Sequence, residues 1–131
     1  MTMKVVQTMS KTNDLRELIQ GKLKTVCNDV YYENAIDDAM YPHCVFSFGN
    51  IINDDFSRAD ISVAIDVWDK SESAAAVEDL CDDIEKLFNN SNLPQENILP
   101  TFFLANRISV TDEDKKIRHR VIKLLVQNYE R

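Results

Sequence analysis

The apolar and polar positions of this chain change period near its middle. Ile61, Val63, Ile65 and Val67 alternate with Ser62, Ala64, Asp66 and Trp68, the period of a strand with one buried face. After Asp69, Lys70 and Ser71 the period becomes helical: Val77, Leu80, Cys81, Ile84, Leu87 and Phe88 recur three and four apart and share one face. The pattern predicts a strand over residues 59–68 and a helix over residues 72–88. Ser71 or Ser73 is the expected cap. Asn89, Asn90, Ser91 and Asn92 end the helix, and Pro94 prevents its continuation.

The same reading extends to both ends of the chain. Leu15, Leu18, Ile19, Leu23, Val26 and Cys27 form an apolar stripe that predicts a first helix. It is expected to start at Asn13 or Asp14, because Asp14 and Glu17 have capping-box spacing, and to end at Asn28 and Asp29. Gly21 lies inside it, at a cost of about 1 kcal/mol relative to Ala. Val30, Tyr31 and Tyr32 predict a short strand, residues 34–42 a loop, and residues 43–48 a second strand rich in β-formers. Residues 49–58 read as a long, mostly polar hairpin connection. A fourth strand lies within residues 98–110. Residues 111–116 are a charged turn, and the last strand runs over residues 117–129 with Ile122, Leu124 and Val126 as its apolar face. The predicted order is α-β-β-β-α-β-β. This is an α+β fold in one domain over residues 13–131, a largely antiparallel sheet with both helices on one face. Residues 1–12 are expected to form a loose, flexible N-terminal extension. Trp68 points away from the Ile61 face and is expected to join Tyr31, Tyr32, Phe46 and Phe48 in a second apolar surface. A partner subunit is one cover for such a surface.

Composition narrows the function classes. A length of 131 residues suits one domain, and an apolar share of 44% argues against disorder. The only glycines are Gly21 and Gly49, so a Gly-rich phosphate loop is excluded. The 22 acidic residues outnumber the 15 basic ones, giving a net charge of −7. Such a chain offers no basic surface for nucleic-acid phosphates or anionic lipid. It suits a basic protein partner, or a surface to which DNA must not adhere. No apolar run reaches the length of a membrane span, and residues 1–11 hold only Val5 and Val6 as an apolar pair, unlike a signal peptide.

Candidate chemistry is sparse. Cys27, Cys44 and Cys81 are odd in number and widely spaced, which is no disulfide framework; they read as small core residues. His43 adjoins Cys44, and His119 is the only other histidine. These residues lack paired zinc-ligand spacing, and neighbours on a strand face opposite ways. No metal, cofactor or catalytic residue is therefore assigned. One charge pattern stands out on the second helix. Glu78, Asp82 and Glu85 form one acidic stripe and Asp79 with Asp83 a second, with only Lys86 nearby as an offset. Like charges four apart each destabilise a helix by a few tenths of a kcal/mol, roughly. The stripe is either an ordinary solvated face or an acidic face kept to repel DNA or to meet a basic subunit.

Four blocks carry a family resemblance. They are the helix over residues 15–26; Val30, Tyr31 and Tyr32 followed by Tyr41, Pro42, His43, Cys44, Val45 and Phe46; Ile65, Asp66, Val67 and Trp68 followed by the second helix; and Ile117, Arg118, His119, Arg120, Val121 and Ile122. In this order and spacing, over residues 14–129, the chain resembles the tail-completion or tail-terminator proteins, the head-to-tail joining proteins of long-tailed bacteriophages. It departs from them after Ala35, where the family commonly has proline and this chain has Ile36. The resemblance implies a structural virion protein without catalysis or cofactor, made in the host cytoplasm and placed at the head–tail junction. It implies a ring, typically a hexamer, on the last ring of the tail tube. That ring ends tube growth and offers a docking surface to the head connector, while DNA passes through the hole without specific binding. Expected partners are other copies of the chain, the tail-tube protein and the head-connector protein. Asp54, Asp55, Arg58, Asp112, Glu113, Asp114 and Lys115, on the two hairpin loops, are the candidate intersubunit or tail-tube contacts, because hairpin tips are free to reach a neighbour. Glu78, Asp82 and Glu85 are the candidate acidic lumen or partner face. The alternatives are a small-molecule-binding regulatory module of ferredoxin-like type, which requires a βαββαβ order, and a small enzyme using Cys44 with a histidine.

Overall fold

In the computed structural model, which describes residues 10–53 and 58–131, the alternating stretch is the third of six strands. The elements are α1 (Lys11–Leu23), β1 (Asp29–Tyr32), β2 (His43–Asn53), β3 (Arg58–Lys70), α2 (Ala75–Phe88), β4 (Ser91–Asn92), β5 (Ile98–Val110) and β6 (Ile117–Glu130). They form an α+β fold with one sheet, ordered β1-β2-β3-β6-β5-β4. β1 runs parallel to β2, and every other pair is antiparallel. The order matches the one expected from the sequence with a single addition, the two-residue β4. It is not the βαββαβ order of a ferredoxin-like module.

Register explains which face is buried. Ile61 lies opposite Val126, Val63 opposite Leu124 and Ile65 opposite Ile122. Phe46 lies opposite Ile65 and Cys44 opposite Val67, and Phe102 opposite Val126. Residues directly opposite each other share a face, so these side chains form one apolar layer. Leu15, Ile19 and Leu23 of α1 and Val77, Leu80, Cys81, Ile84 and Phe88 of α2 belong to the same buried cluster. The rings of Phe88 and Phe102 meet at 5.0 Å between centroids. Each fully buried large side chain contributes about 1.5–3 kcal/mol.

Several expected boundaries move. α1 starts at Lys11 with Ser10 as its cap, the Ser10 Oγ accepting the Asn13 N–H at 3.2 Å. Asp14 is therefore in the first turn and not the cap, and residues 11 and 12 belong to the helix and not to the extension. Residues 1–9 of that extension lie outside the described residues. The helix ends at Leu23, and Cys27 is buried just beyond it. At the start of α2 the cap position is Ala74, which makes no side-chain bond. Ser73 accepts the Ala75 N–H at 3.0 Å from one residue earlier, so neither Ser71 nor Ser73 is the cap itself. β2 continues to Asn53 through an irregularity between Phe48 and Ile51. Much of the expected 49–58 connection is therefore strand, and residues 54–57 lie outside the described residues.

The second apolar surface is also corrected. Phe46 and Phe48 sit opposite Ile65 and Val63, so they share the core face. Tyr32 packs on them at 5.1 and 5.6 Å. Trp68 and Tyr31 take the other side, next to His43. That helix-free side also carries Leu99 opposite Tyr129 and Phe103 opposite Leu125, all four exposed.

Candidate functional site

The acidic stripe of α2 has a counter-ion that is remote in sequence. Between Leu104 and Asn106 the β5 register shifts by one residue, Leu104 pairing with Leu124 and Asn106 with Lys123. A one-residue slip flips every following side chain to the other face. Arg107 is thereby brought opposite Ile122, on the side where α2 packs. Its Nε donates to Glu85 Oε2 at 2.7 Å, its Nη1 to Glu78 Oε1 at 3.0 Å and its Nη2 to Asp82 Oδ1 at 2.6 Å. Arg120 of β6 donates to the second oxygen of Glu78 at 3.3 Å. The hydrogen bond to Glu85 first, and then that to Asp82, holds the Arg107 guanidinium further above its ordinary range. The expectation that only Lys86 offsets the stripe is corrected, because Glu78, Asp82 and Glu85 converge on one arginine. Asp79 and Asp83 stay exposed.

Lys70 lies opposite Ile117 and Arg58 opposite Tyr129, so Arg58 and the start of β6 mark opposite ends of β3, about 40 Å apart at strand rise. At one end Arg58 pairs with Asp60, at 3.1 and 3.3 Å, and Asp54 and Asp55 lie outside the described residues. At the other end Asp112 accepts the Asp114 N–H at 3.0 Å and Asp114 accepts the Lys116 N–H at 2.9 Å. These two aspartates build the turn through side chain-to-backbone bonds. Glu113 and Lys115 are exposed at its tip.

The helix-free face holds a group of side chains that sequence reasoning missed. β2, β3 and β6 set His43 opposite Trp68 and Trp68 opposite His119. The Trp68 and His119 rings stack at 3.6 Å, and His43 lies parallel to Trp68 at 6.2 Å. His119 Nε2 is 2.8 Å from Asp66 Oδ2. The segment between β1 and β2 borders this row, and together they enclose an open hollow of about 570 Å³ with Tyr41, His43, Asp66 and Trp68 in its lining. The sequence signal was Asp66 and Trp68 two apart, but only register adds the histidines. A second hollow, about 510 Å³, lies along α1 between Asp14, Lys22 and Asn97.

The cysteines lie in the core. Cys27, Cys44 and Cys81 are free and buried. A hydrogen bond with Cys27, then burial, raises the Cys44 thiol, and burial pushes Cys81 up to about 11. Cys44 faces the core, whereas His43 and His119 stand on the other side of the sheet, so neither histidine meets that thiol. Among the described residues no three His, Cys, Asp or Glu groups come together to hold a metal ion, and no helix is long and apolar enough to cross a membrane.

No protein-family model matches the chain, and no curated protein matches it. A solved structure does. A chain of the "Virion of native gene transfer agent (GTA) particle" superposes with a TM-score of 0.60 at 10% identity, covering 83% of this chain and 84% of that one. At this identity the likeness is one of fold.

Proposed function

We propose that the chain is a non-enzymatic structural protein of a phage-like virion, acting at the head–tail junction as a tail terminator. The observation that carries this reading is the fold shared with a chain of a gene transfer agent virion over more than four fifths of both chains. The sequence blocks that resemble tail-terminator proteins point the same way. On this reading copies of the chain form a ring, a hexamer in the family pattern, on the last ring of the tail tube. One end of each sheet meets the tube and the other meets the head connector. Two sheet ends about 40 Å apart suit two different partners. Asp54, Asp55 and Arg58 would serve one end, and Asp112, Glu113, Asp114 and Lys115 the other. The net charge of −7 repels DNA passing through the ring. Within the stripe, Arg107 fixes Glu78, Asp82 and Glu85 in place, while exposed Asp79 and Asp83 keep the helix surface acidic.

The test is direct. Tail tubes are grown in vitro from tail-tube protein, and purified chain is added during growth. Electron microscopy should show growth arrested and one additional ring at one tube end. Unchanged growth with bare ends would refute the proposal.

A further inference from the structure

The hollow beside Trp68 plays no part in the terminator reading, and its chemistry is specific. β2 and β3 supply His43, Asp66 and Trp68, and the preceding segment supplies Glu33, Asp37 and Tyr41. Three carboxylates therefore line it, without any lysine or arginine. His43 is only 7% exposed, and its Nδ1 lies 3.1 Å from the Met40 carbonyl oxygen. A carbonyl only accepts, so in the neutral ring Nδ1 carries the proton and Nε2 is left as an acceptor. That nitrogen has no hydrogen-bond partner among the described residues. A nine-tenths buried ring thus lines the hollow beside groups that are all acceptors when ionised; of these Asp66 also meets His119 Nε2 at 2.8 Å, while Glu33 and Asp37 are exposed.

We propose that this hollow receives the guanidinium of an arginine side chain carried by a different polypeptide. A guanidinium is a planar fan of donors that pairs with carboxylates, and the aromatic walls of Tyr41 and Trp68 favour a cation. A metal ion is the poorer fit, because no three ligating groups converge among the described residues. The arginine comes from outside because all six of this chain's own arginines are engaged within it. Even the outlying ones bond to its backbone, Arg118 to the Glu72 carbonyl and Arg131 to the Gln95 carbonyl. The net charge of −7 likewise selects a basic partner. The inference stands whether or not the chain terminates tails.

Trp68 is the only tryptophan and lines the hollow, so its fluorescence reports binding there. N-acetyl-arginine amide, titrated into the intact protein, should give a saturable change in the millimolar range, to about 50 mM at most for a single side chain. N-acetyl-citrulline amide, of the same shape without the charge, should give none. The double variant Glu33→Gln with Asp37→Asn changes two exposed residues and should weaken arginine binding about fivefold or more while circular dichroism stays native. No saturable change with arginine, equal binding of citrulline, or unchanged affinity in the folded variant would each overturn the proposal.

Discussion

Arg107 is 23% exposed in its side chain and holds three carboxylates of α2 at 2.6–3.0 Å. Exposed ion pairs contribute little singly, but several sharing one partly buried arginine form a network. Arg107→Ala should lower stability by about 1–3 kcal/mol, read as a drop of several degrees in Tm. Arg107→Lys should recover only part of it, because an ammonium is a point charge and cannot match three separate oxygens. The deficit should shrink in high salt. Thermal denaturation at two ionic strengths checks this, and an Arg107→Ala protein as stable as the wild type would contradict it. Cys81 gives a pH prediction. Its folded-state value is raised, to about 11 from 9.0, so folding favours the neutral thiol. That contribution is complete below pH 9 and is lost as pH rises towards 11. Cys81→Ala should be less stable at neutral pH, through lost packing, yet decline less steeply between pH 9 and 11. Urea midpoints across that range decide it, with parallel declines counting against the assignment.

At the scale of elements, α2 meets β5 through the rings of Phe88 and Phe102, 5.0 Å apart in the core. Phe88→Ala and Phe102→Ala should each cost about 3–5 kcal/mol, and the double variant less than their sum, because the rings share one cavity. Denaturant titration of the three variants measures this, and strict additivity would mean that the rings do not couple. β3 and α2 were legible in the sequence because their periods are local, two residues in one and 3.6 in the other. What was not legible depends on pairing. Tyr32, Phe46 and Phe48 took the core face because β2 aligns Phe46 with Ile65, which no window along β2 reveals. Both Ser10 and Asp14 have cap chemistry, and the choice between them lies in how the chain enters the helix. The acidic stripe was legible as a stripe. Its counter-ion was not, since Arg107 lies 22 residues beyond Glu85 on a strand whose facing reverses at a bulge. The Trp68 hollow was invisible for a similar reason, being assembled from two strands and a loop.

At the scale of the molecule, two ends and one uncovered face remain for partners. The Thr111-to-Ile117 tip is held by its own aspartates, so exposed Glu113 and Lys115 can be exchanged without loss of the turn. The paired variant Glu113→Lys with Lys115→Glu should fold normally and, on the terminator proposal, impair one junction only, giving either over-long tubes or unjoined heads. Electron microscopy of particles carrying the variant distinguishes these outcomes, and wild-type particles would remove that tip from the interface. Leu99, Phe103, Leu125 and Tyr129 lie exposed together on the helix-free side, a larger apolar group than scattered surface residues require. The most direct measurement of the whole account is the length of tail tubes made when this chain is absent. The terminator reading predicts tubes longer than in complete particles and heads without tails. Tubes of normal length, joined to heads, would contradict it.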